Sequence, residues 1–250
     1  MPRPMKLRRG LSAAVLLAVA IGYGPAVAGD VAEVEILGFS ADGRHFAFEE
    51  FGLQDGSGFP YSSIYVIDVA RDAWVPGSPL RRRDEIDDAP PYDPDAALAR
   101  TREANRAAAV PVLRGAGIAG FGTLVGHNPP TEMSADPHHL MVVPRRVLPP
   151  IDDPLEFALT EFPLPAGHCA DYGAETRGFR LTLVRSARTT VLAEDRTLPA
   201  SRNCPLGYSI ERILTHYPAD GDPVFAVLLL METVGFEGPD GRYLAVTGRF

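Results

Sequence analysis

Apart from the acidic run at 84–88, three groups of neighbouring acidic side chains in this 250-residue sequence are candidates for chemistry. The groups are Glu49-Glu50, Asp152-Asp153 and Asp220-Gly221-Asp222. Paired carboxylates can serve as the acid and base of a glycosidase, or they can bind calcium. Neighbouring residues in a strand point to opposite faces, however, and the other two groups lie in turns rich in proline or glycine. The spacing therefore indicates structural roles for these carboxylates.

Three histidines offer a possible metal site. His127, His138 and His139 lie in one loop-rich stretch together with Glu132 and Asp136. Neutral imidazoles and a carboxylate suit zinc, and a zinc-bound water could support hydrolysis. The spacing follows none of the familiar ligand patterns, and adjacent histidines in a proline-flanked loop are commonly solvated. A metal-dependent hydrolase is therefore kept as the alternative hypothesis, and no resident metal is predicted.

Other catalytic or cofactor-binding motifs are not convincing. The string 115–120, GAGIAG, formally matches the dinucleotide fingerprint G-x-G-x-x-G. That fingerprint works between a strand and the start of a helix, whereas here a predicted helix precedes it. A G-x-S-x-G nucleophile elbow and a P-loop are both missing from the sequence. We predict no cofactor, and enzymatic activity is the less favoured interpretation.

The two cysteines, Cys169 and Cys204, predict a disulfide if the chain is exported, because an oxidising compartment allows them to pair. The rival interpretation is a reactive thiol, with His168 beside Cys169 as its base. Neighbouring side chains on a strand point to opposite faces, which argues against such a pair.

The N-terminus has the three parts of a secretory signal peptide. Four basic residues precede an apolar run over 11–21, and Ala26-Val27-Ala28 forms a small-residue cleavage site. Gly22, Gly24 and Pro25 interrupt the apolar run, so a membrane anchor is not favoured. We predict cleavage after Ala28, a periplasmic or secreted product, and no membrane insertion after cleavage.

The charge of the exported part limits its partners. Residues 1–28 contain four basic and no acidic residues, so their removal changes the formal net charge from -8 to -12. An acidic surface repels phosphate backbones and anionic lipids. The run Arg81-Arg82-Arg83 is followed by four acidic residues within 84–88, which largely cancel its charge. Nucleic acid is therefore not an expected partner.

The pattern of the exported part is mainly β. Short apolar segments, separated by turns, lie at 34–39, 46–48, 64–68, 121–125, 140–143, 155–161, 179–185, 189–193, 208–214, 224–234 and 243–247. The run 224–231 is continuously apolar and predicts a central strand. Asp93 and Pro94 predict the start of one surface helix, which Pro111 is expected to end. We predict one domain over 29–250, an antiparallel β-sandwich or barrel-like fold, with a loop and helix insertion at about 78–111.

Two stretches echo each other: GFSADGRHFAF at 38–48 and GFEGPDGRYLAV at 235–246. The first, continued through IYVID at 64–68, resembles a blade of the TolB-type propeller repeat. That resemblance implies a four-stranded antiparallel unit and a role in protein–protein contact. About a dozen strands correspond to nearly three blades, and closure needs at least four. A small or incomplete β-propeller is therefore the alternative fold.

Over its full length the chain is similar to a bacterial family of predicted secreted proteins that is defined only as a domain of unknown function. The similarity rests on EILGFSADGRHFAFEEFG after the signal peptide, on the loop GSGFPYS at 56–62, and on the closing GPDGRYLAV. It implies export and a single domain, and it transfers no functional residues.

Together these features favour a non-enzymatic binding module of the cell envelope. Loops at one end of a β scaffold are common contact surfaces, and aromatic side chains are frequent anchors there. The glycine-rich loop over 52–60 ends close to Phe59 and Tyr61, which we predict to form the contact surface. The expected partner is an envelope protein or a small ligand.

Overall fold

The computed structural model describes residues 29–86 and 92–250. The predicted signal peptide, residues 1–28, lies outside these ranges. The first half of the described chain contains the strands β1 Glu33–Ser40, β2 His45–Leu53, β3 Pro60–Asp68, β4 Ala73–Trp74 and β5 Leu80–Arg83, the helix α1 Pro94–Gly115, and the strands β6 Ile118–Phe121 and β7 Thr123–His127. The second half contains β8 His139–Val142, β9 Leu155–Pro163, β10 Arg177–Arg185, β11 Arg188–Glu194, β12 Pro205–His216, β13 Val224–Val234 and β14 Pro239–Arg249.

These strands form three antiparallel sheets. The first sheet has the order β4-β3-β2-β1-β6, with β5 also paired to β3. The central sheet has the order β14-β13-β12-β7, and the third sheet has the order β11-β10-β9-β8. The mainly β prediction is confirmed, and the predicted segments from 121 onward all coincide with observed strands in whole or in part.

The side chains of β13 show how the sheets are stacked. Ala226, Leu228 and Leu230 pack with residues of the first sheet, whereas Phe225 and Val227 pack with residues of the third sheet. Because successive side chains point to opposite faces, the central sheet is buried on both sides. Most antiparallel sheets keep one face in water, so such a strand needs a continuous apolar sequence. The fold is therefore sandwich-like, with three β layers.

Helix α1 covers the outer face of the first sheet. The Asp93 side chain accepts a hydrogen bond from the backbone N–H of Ala96 at 3.1 Å, and Pro94 occupies the first turn, as predicted. The predicted end at Pro111 is wrong, because the helix continues to Gly115. An interior proline removes one backbone hydrogen bond and crowds the carbonyl four residues before it, but the partly buried Val112 and Leu113 continue the contact with the sheet and offset that local cost.

The helix contacts the sheet through small and polar side chains. Ala97, Thr101, Asn105 and Ala109 form its buried stripe. The Asn105 amide donates to the backbone carbonyls of Ser62 at 3.0 Å and Leu80 at 3.1 Å. This stripe recurs every four residues, as one face of a helix requires, although the apolar pattern of the helix is weak.

Glu49 is the acidic centre of this helix contact, and its side chain is fully buried. Arg102 donates to it through Nε at 3.1 Å, Arg106 donates through Nε at 2.8 Å, and the Ser62 hydroxyl donates at 2.9 Å. Arg102 and Arg106 also contact Glu35 at 2.6 Å. Glu49 therefore has the structural role predicted from the sequence, and it faces away from Glu50.

The first part of the predicted loop and helix insertion at about 78–111 contains the edge strand β5. Leu80 to Arg83 pair with Ile64 to Tyr61 of β3. Arg82 bonds Asp84 at 2.9 Å and Arg83 bonds Glu85 at 3.3 Å, which agrees with the predicted cancellation of charge for these two residues. A strand rich in arginine is tolerated here because it lies at a sheet edge.

The segment resembling a propeller blade, 38–68, forms the end of β1 and all of β2 and β3. Both echoing stretches enclose hairpin turns, one between β1 and β2 and the other between β13 and β14. The first sheet packs on the central sheet with one face and on α1 with the other. A propeller-like repeat stays a prediction. No helix of the described chain is long and apolar enough to span a membrane.

Candidate binding cleft

A cleft of about 650 Å³ runs along β14, the edge strand of the central sheet. The first sheet contributes alternate side chains of β2 and β3, and the segment 199–203 before β12 also lines the cleft. Its position follows from the stacking, because β14 is the last strand of the middle layer. Residues 30–32 pair with β14 at Gly241, and the space beyond the rest of the strand stays open between the outer layers.

Strand alternation decides which side chains of the first sheet enter the cleft. In β2, Phe48 and Glu50 line the cleft, while Glu49 faces the helix. In β3, Tyr61, Ser63 and Tyr65 line it. The register places Phe48 opposite Tyr65, and their rings stack with centroids 4.8 Å apart. A period of two thus places aromatic and polar groups on one wall.

Glu50 is the most deeply buried charge-bearing group of the cleft. One carboxylate oxygen accepts the Tyr65 hydroxyl at 2.7 Å, and the other accepts the backbone N–H of Tyr243 at 2.8 Å. Burial raises the pKa of Glu50 above its usual range, although these hydrogen bonds and two nearby arginines oppose the rise. Burial also raises the pKa of Tyr243 to about 12. Removal from water penalises the charged form of an acid, which explains why the pKa values of both groups are raised.

Asp72 makes the same kind of contact further along β14. Its carboxylate accepts from the backbone N–H of Thr247 at 2.7 Å and from the Thr247 hydroxyl at 2.9 Å. Partial removal of the carboxylate from water raises the pKa of Asp72 as well, although the residue as a whole is exposed. Glu50 and Asp72 therefore occupy N–H groups on the open edge of the central sheet, and such groups otherwise invite pairing by another strand.

Ala245 lies midway between Tyr243 and Thr247 on this edge and also lines the cleft. In an antiparallel strand, alternate residues direct their N–H and C=O groups away from the paired neighbour. Ala245 shares this orientation with Tyr243 and Thr247, so its backbone groups are placed to hydrogen-bond a molecule in the cleft.

An aromatic and cationic wall lies beside these acids. Trp74, the single tryptophan of the chain, is 48% exposed. Its ring lies 6.0 Å from that of Tyr65, and the Arg81 guanidinium lies 5.7 Å from the Trp74 ring centroid and 5.9 Å from that of Tyr65. Within the described part of the chain, Arg81 forms no ion pair within 4.0 Å. It is therefore the cation most accessible to a ligand here.

Two other arginines of the cleft are held by acids of the protein itself. Arg242 bonds Asp30 at 2.6 Å and lies 4.9 Å from the ring centroid of Tyr61. Arg202 bonds Asp195 at 2.6 Å. The Tyr61 hydroxyl also donates to Asp30 at 2.9 Å. These ion pairs fix the side chains at the rim of the cleft. They leave less positive charge available for binding a ligand.

The predicted disulfide supports the segment 199–203. Cys169 and Cys204 are bonded, with their Cα atoms 5.7 Å apart, and neither is a free thiol. The interpretation of Cys169 as a reactive thiol is therefore wrong. His168 instead contacts the carbonyl of Asn203 at 3.0 Å through Nε2.

The predicted contact residues have different surroundings. Tyr61 and the loop residue Gln54 line the cleft. Phe59 is partly buried, and the Arg83 guanidinium lies 5.8 Å from its ring centroid. The turn at 55–56 meets the second hairpin, where the N–H of Glu237 donates to Asp55 at 3.0 Å. A contact role for Phe59 and Tyr61 stays a prediction.

The three candidate metal ligands contact three separate carboxylates. His127 contacts Glu211 at 3.1 Å, and His139 contacts Glu156 at 2.8 Å. His138 contacts the Tyr208 carbonyl at 3.1 Å and lies 3.8 Å from Glu161. Within residues 29–86 and 92–250, the one group of three potential ligand atoms within 4.8 Å is His168, Cys169 and Cys204, and its two sulfurs form the disulfide.

The dinucleotide-like string 115–120 spans the end of α1 and the start of β6. The helix precedes the string instead of following it, as the sequence indicated. Several residues of the cleft gave no sequence signal. Arg81 lies in the predicted loop and helix insertion at about 78–111, and Asp30 is over 200 positions from its partner Arg242.

A scan against family models matches residues 47–249 to the family described as "predicted secreted protein" (DUF2259). The match covers most of the chain, so the protein belongs to this family of predicted secreted proteins. The family description agrees with the predicted periplasmic or secreted location. Searches of curated proteins and of solved structures found no significant match.

Proposed function

We propose that this exported protein is a binding module whose ligand occupies the cleft along β14. The observation that carries the proposal is the pairing of a half-exposed Trp74 with Arg81, which forms no ion pair within 4.0 Å among the described residues. An exposed aromatic ring beside an available cation in a cleft is a feature of ligand recognition. A cleft wall with a purely structural role would require neither an exposed aromatic ring nor an available cation.

The lining of the cleft favours a small molecule with a flat apolar part and an anionic group. Trp74 and Tyr65 offer ring faces, and Arg81 offers a guanidinium that can form paired hydrogen bonds with a carboxylate. The backbone edge at Ala245 adds a donor and an acceptor for the polar part of the ligand. The carboxyl groups of Glu50 and Asp72 are already bonded to the protein.

An envelope protein is the other partner expected from the sequence. It would use Phe59 and Tyr61 on the loop that borders the cleft. We favour the small molecule because the Phe59 side chain is partly buried, with the Arg83 guanidinium near its ring. The Trp74 side chain, in contrast, is half exposed to solvent.

The test uses Trp74 as the reporter, because this residue is the single tryptophan of the chain. We would titrate the protein with benzoate and with its neutral counterpart benzamide, and record Trp74 emission. A saturable change is expected with benzoate, a much weaker one with benzamide, and loss of the benzoate response in Arg81→Gln. The matched control is Arg44→Gln, which removes the same charge from an exposed residue on the β1–β2 turn.

An equal response of Arg81→Gln and the unaltered protein would contradict the assigned role of Arg81. Native mass spectrometry of protein purified from an exported fraction provides the second measurement. Absence of any bound small molecule, together with absence of any response to benzoate, would overturn the proposal. Recovery of a crosslinked protein that depends on Phe59 and Tyr61 would instead support the envelope-protein alternative.

A further inference from the structure

A second pocket, of about 370 Å³, lies away from the cleft, where β10 and β11 of the third sheet meet the end of β14. Three arginines, Arg185, Arg188 and Arg249, line it, together with apolar surface from Leu183, Leu192 and Phe250. The lining contains no Asp or Glu side chain. The protein carries a net negative charge, so three guanidinium groups around one cavity require a physical explanation.

The hairpin between β10 and β11 places two of these arginines together. Arg185 and Arg188 are directly paired across the strands, which puts their side chains on the same face. Arg185 is two and four positions from the buried Leu183 and Leu181, so it shares the face that packs toward the central sheet. Arg249 is the last residue of β14 and approaches from the neighbouring layer.

This arrangement opposes two local preferences. Like charges placed directly opposite each other in a hairpin repel. The two turn residues, Ser186 and Ala187, both have positive φ angles, 48° and 60°, where glycine and asparagine are usual. Backbone strain of this kind clusters at binding and active sites. The two features together therefore indicate a functional role for the tip of this hairpin.

The described residues do not supply a counter-ion within the pocket. None of the three arginines has an Asp or Glu carboxylate within 4.0 Å among them. Two acids near the β10–β11 hairpin are already bonded: Asp152 accepts from Arg145 at 2.6 Å, and Asp153 accepts from the Ser186 hydroxyl at 2.5 Å. Arg185 interacts with Asp152 at longer range and contributes to the lowering of its pKa, after the hydrogen bond from Arg145.

One donor in the pocket is left without an acceptor. The Nε–H of Arg185 is buried and has no hydrogen-bond partner. The Arg185 guanidinium lies 5.3 Å from the ring centroid of Phe250. Buried donors nearly always have a hydrogen-bond partner. The unpaired Nε–H of Arg185 therefore points to an acceptor that a bound ligand would supply.

We propose that this pocket binds an oxyanion, either a phosphate or a carboxylate, carried on a ligand with a small apolar group. Guanidinium groups match the geometry of both oxyanions and bind them by paired charge-assisted hydrogen bonds. Leu192 and Phe250 provide the apolar contact. The site is independent of the cleft along β14, and neither proposal requires the other.

The experiment is calorimetric titration of the full exported chain with inorganic phosphate, phenyl phosphate and benzoate. In the Arg81→Gln variant, in which the cleft response is removed, we expect one site per chain, with phenyl phosphate binding more tightly than inorganic phosphate because it also uses the apolar wall. Benzoate in place of phenyl phosphate separates a carboxylate ligand from a phosphate ligand. Binding should weaken as salt is added.

Two variants and one matched control test the assignment. Arg188→Gln and Arg249→Gln should each weaken binding at this site by at least about tenfold, the usual effect of losing a hydrogen bond between charged groups. Arg180→Gln removes the same charge from β10, where Arg180 is exposed and paired with Glu194, and should leave binding unchanged. Failure of all three probes to bind, or equal binding by both pocket variants and the control, would overturn the proposal.

The experiments can disprove either of the two proposed sites without disproving the other. Trp74 emission reports the cleft, and Arg81→Gln removes the cleft response without changing the calorimetric signal at the arginine pocket. Conversely, Arg188→Gln and Arg249→Gln should leave the response of Trp74 to benzoate intact. A probe signal that depends on Arg81 alone would assign all binding to the cleft and contradict the second site.

Discussion

Glu49 and Glu50 are neighbours in β2, but they belong to two different environments. Glu49 faces α1 and is bonded to Arg102, Arg106 and Ser62. Glu50 faces the cleft and is bonded to the Tyr65 hydroxyl and the Tyr243 N–H. One face of the strand neutralises its carboxylate with cations, whereas the other supplies neutral donors.

This difference separates a closed contact from an open one. On the helix face, the polar groups bond one another, and neither the cleft nor the arginine pocket lies there. On the cleft face, Glu50 satisfies a sheet edge, while Trp74 and Arg81 remain accessible. The contrast indicates that burial of a carboxylate does not by itself mark a functional site. The cleft is marked by the groups around Glu50 that the protein leaves available.

The largest expected effect is loss of the helix-face ion pairs. Glu49→Ala should lower the free energy of unfolding by about 3 to 4 kcal/mol, because Arg102 and Arg106 lose their buried counter-charge and keep only the partly exposed Glu35. Urea denaturation followed by circular dichroism measures the change. The control is Glu85→Gln, which removes an exposed partner of Arg83 and should change stability by at most about 0.5 kcal/mol. Equal effects of the two variants would contradict the closed-contact description.

The disulfide that supports the cleft segment 199–203 should have the next largest effect. Replacing Cys169 and Cys204 together by serine should lower the free energy of unfolding by about 3 kcal/mol, because the unfolded chain regains freedom over the 35 positions that separate them. Chemical denaturation measures this loss. Reductant should destabilise the unaltered protein similarly and should leave the double variant unchanged. Destabilisation of the double variant by reductant would show that the effect has another cause.

The two faces should respond to pH with opposite signs. The pKa of Glu50 is raised by burial, so its contribution to stability is present below the unfolded value of 4.5 and is lost as pH rises through the folded pKa. Glu35 is on the helix face, where partial burial acts to raise its pKa but hydrogen bonds from Arg106 and Arg102 outweigh this and lower it. Its contribution is therefore present above 4.5 and is lost as pH falls through the folded pKa.

Unfolding free energies measured against pH for Glu50→Gln and Glu35→Gln test these signs. Relative to the unaltered protein, Glu50→Gln should gain stability with rising pH, because its amide resembles the neutral acid. Glu35→Gln should lose relative stability over the corresponding rise. Parallel curves for the two variants would remove the electrostatic difference between the faces.

The smallest effect on stability is expected at the open wall of the cleft. Arg81→Gln should change the free energy of unfolding by at most about 0.5 to 1 kcal/mol, the usual size of an exposed cation–π contact. It should nevertheless reduce quenching of Trp74 fluorescence by iodide, because the local positive charge that attracts this anion is removed. Quenching by neutral acrylamide should not decrease. A parallel decrease with both quenchers would indicate altered exposure of Trp74 instead of altered charge.

Sequence patterns were most informative where structure depends on near neighbours. The start of α1 was predictable because Asp93 caps a turn only three residues away, and β13 was predictable because eight successive apolar residues suit a strand buried on both faces. The end of α1 was not, since contacts of Val112 and Leu113 with the sheet outweigh the local effect of Pro111. The edge strand β5 was not predicted because three of its four residues are arginines. Its pairing with β3, which the local sequence does not reveal, makes it a strand.

The sequence by itself determined export, a mainly β fold, the disulfide and the opposite orientation of Glu49 and Glu50. These properties follow from composition and from the period of two along a strand. Only the tertiary structure decided that the sheets form three layers and that β14 is an open edge. It also brought Trp74 to Arg81, and Arg185 to Arg249, because such contacts depend on how sheets stack and not on the spacing of residues along the chain.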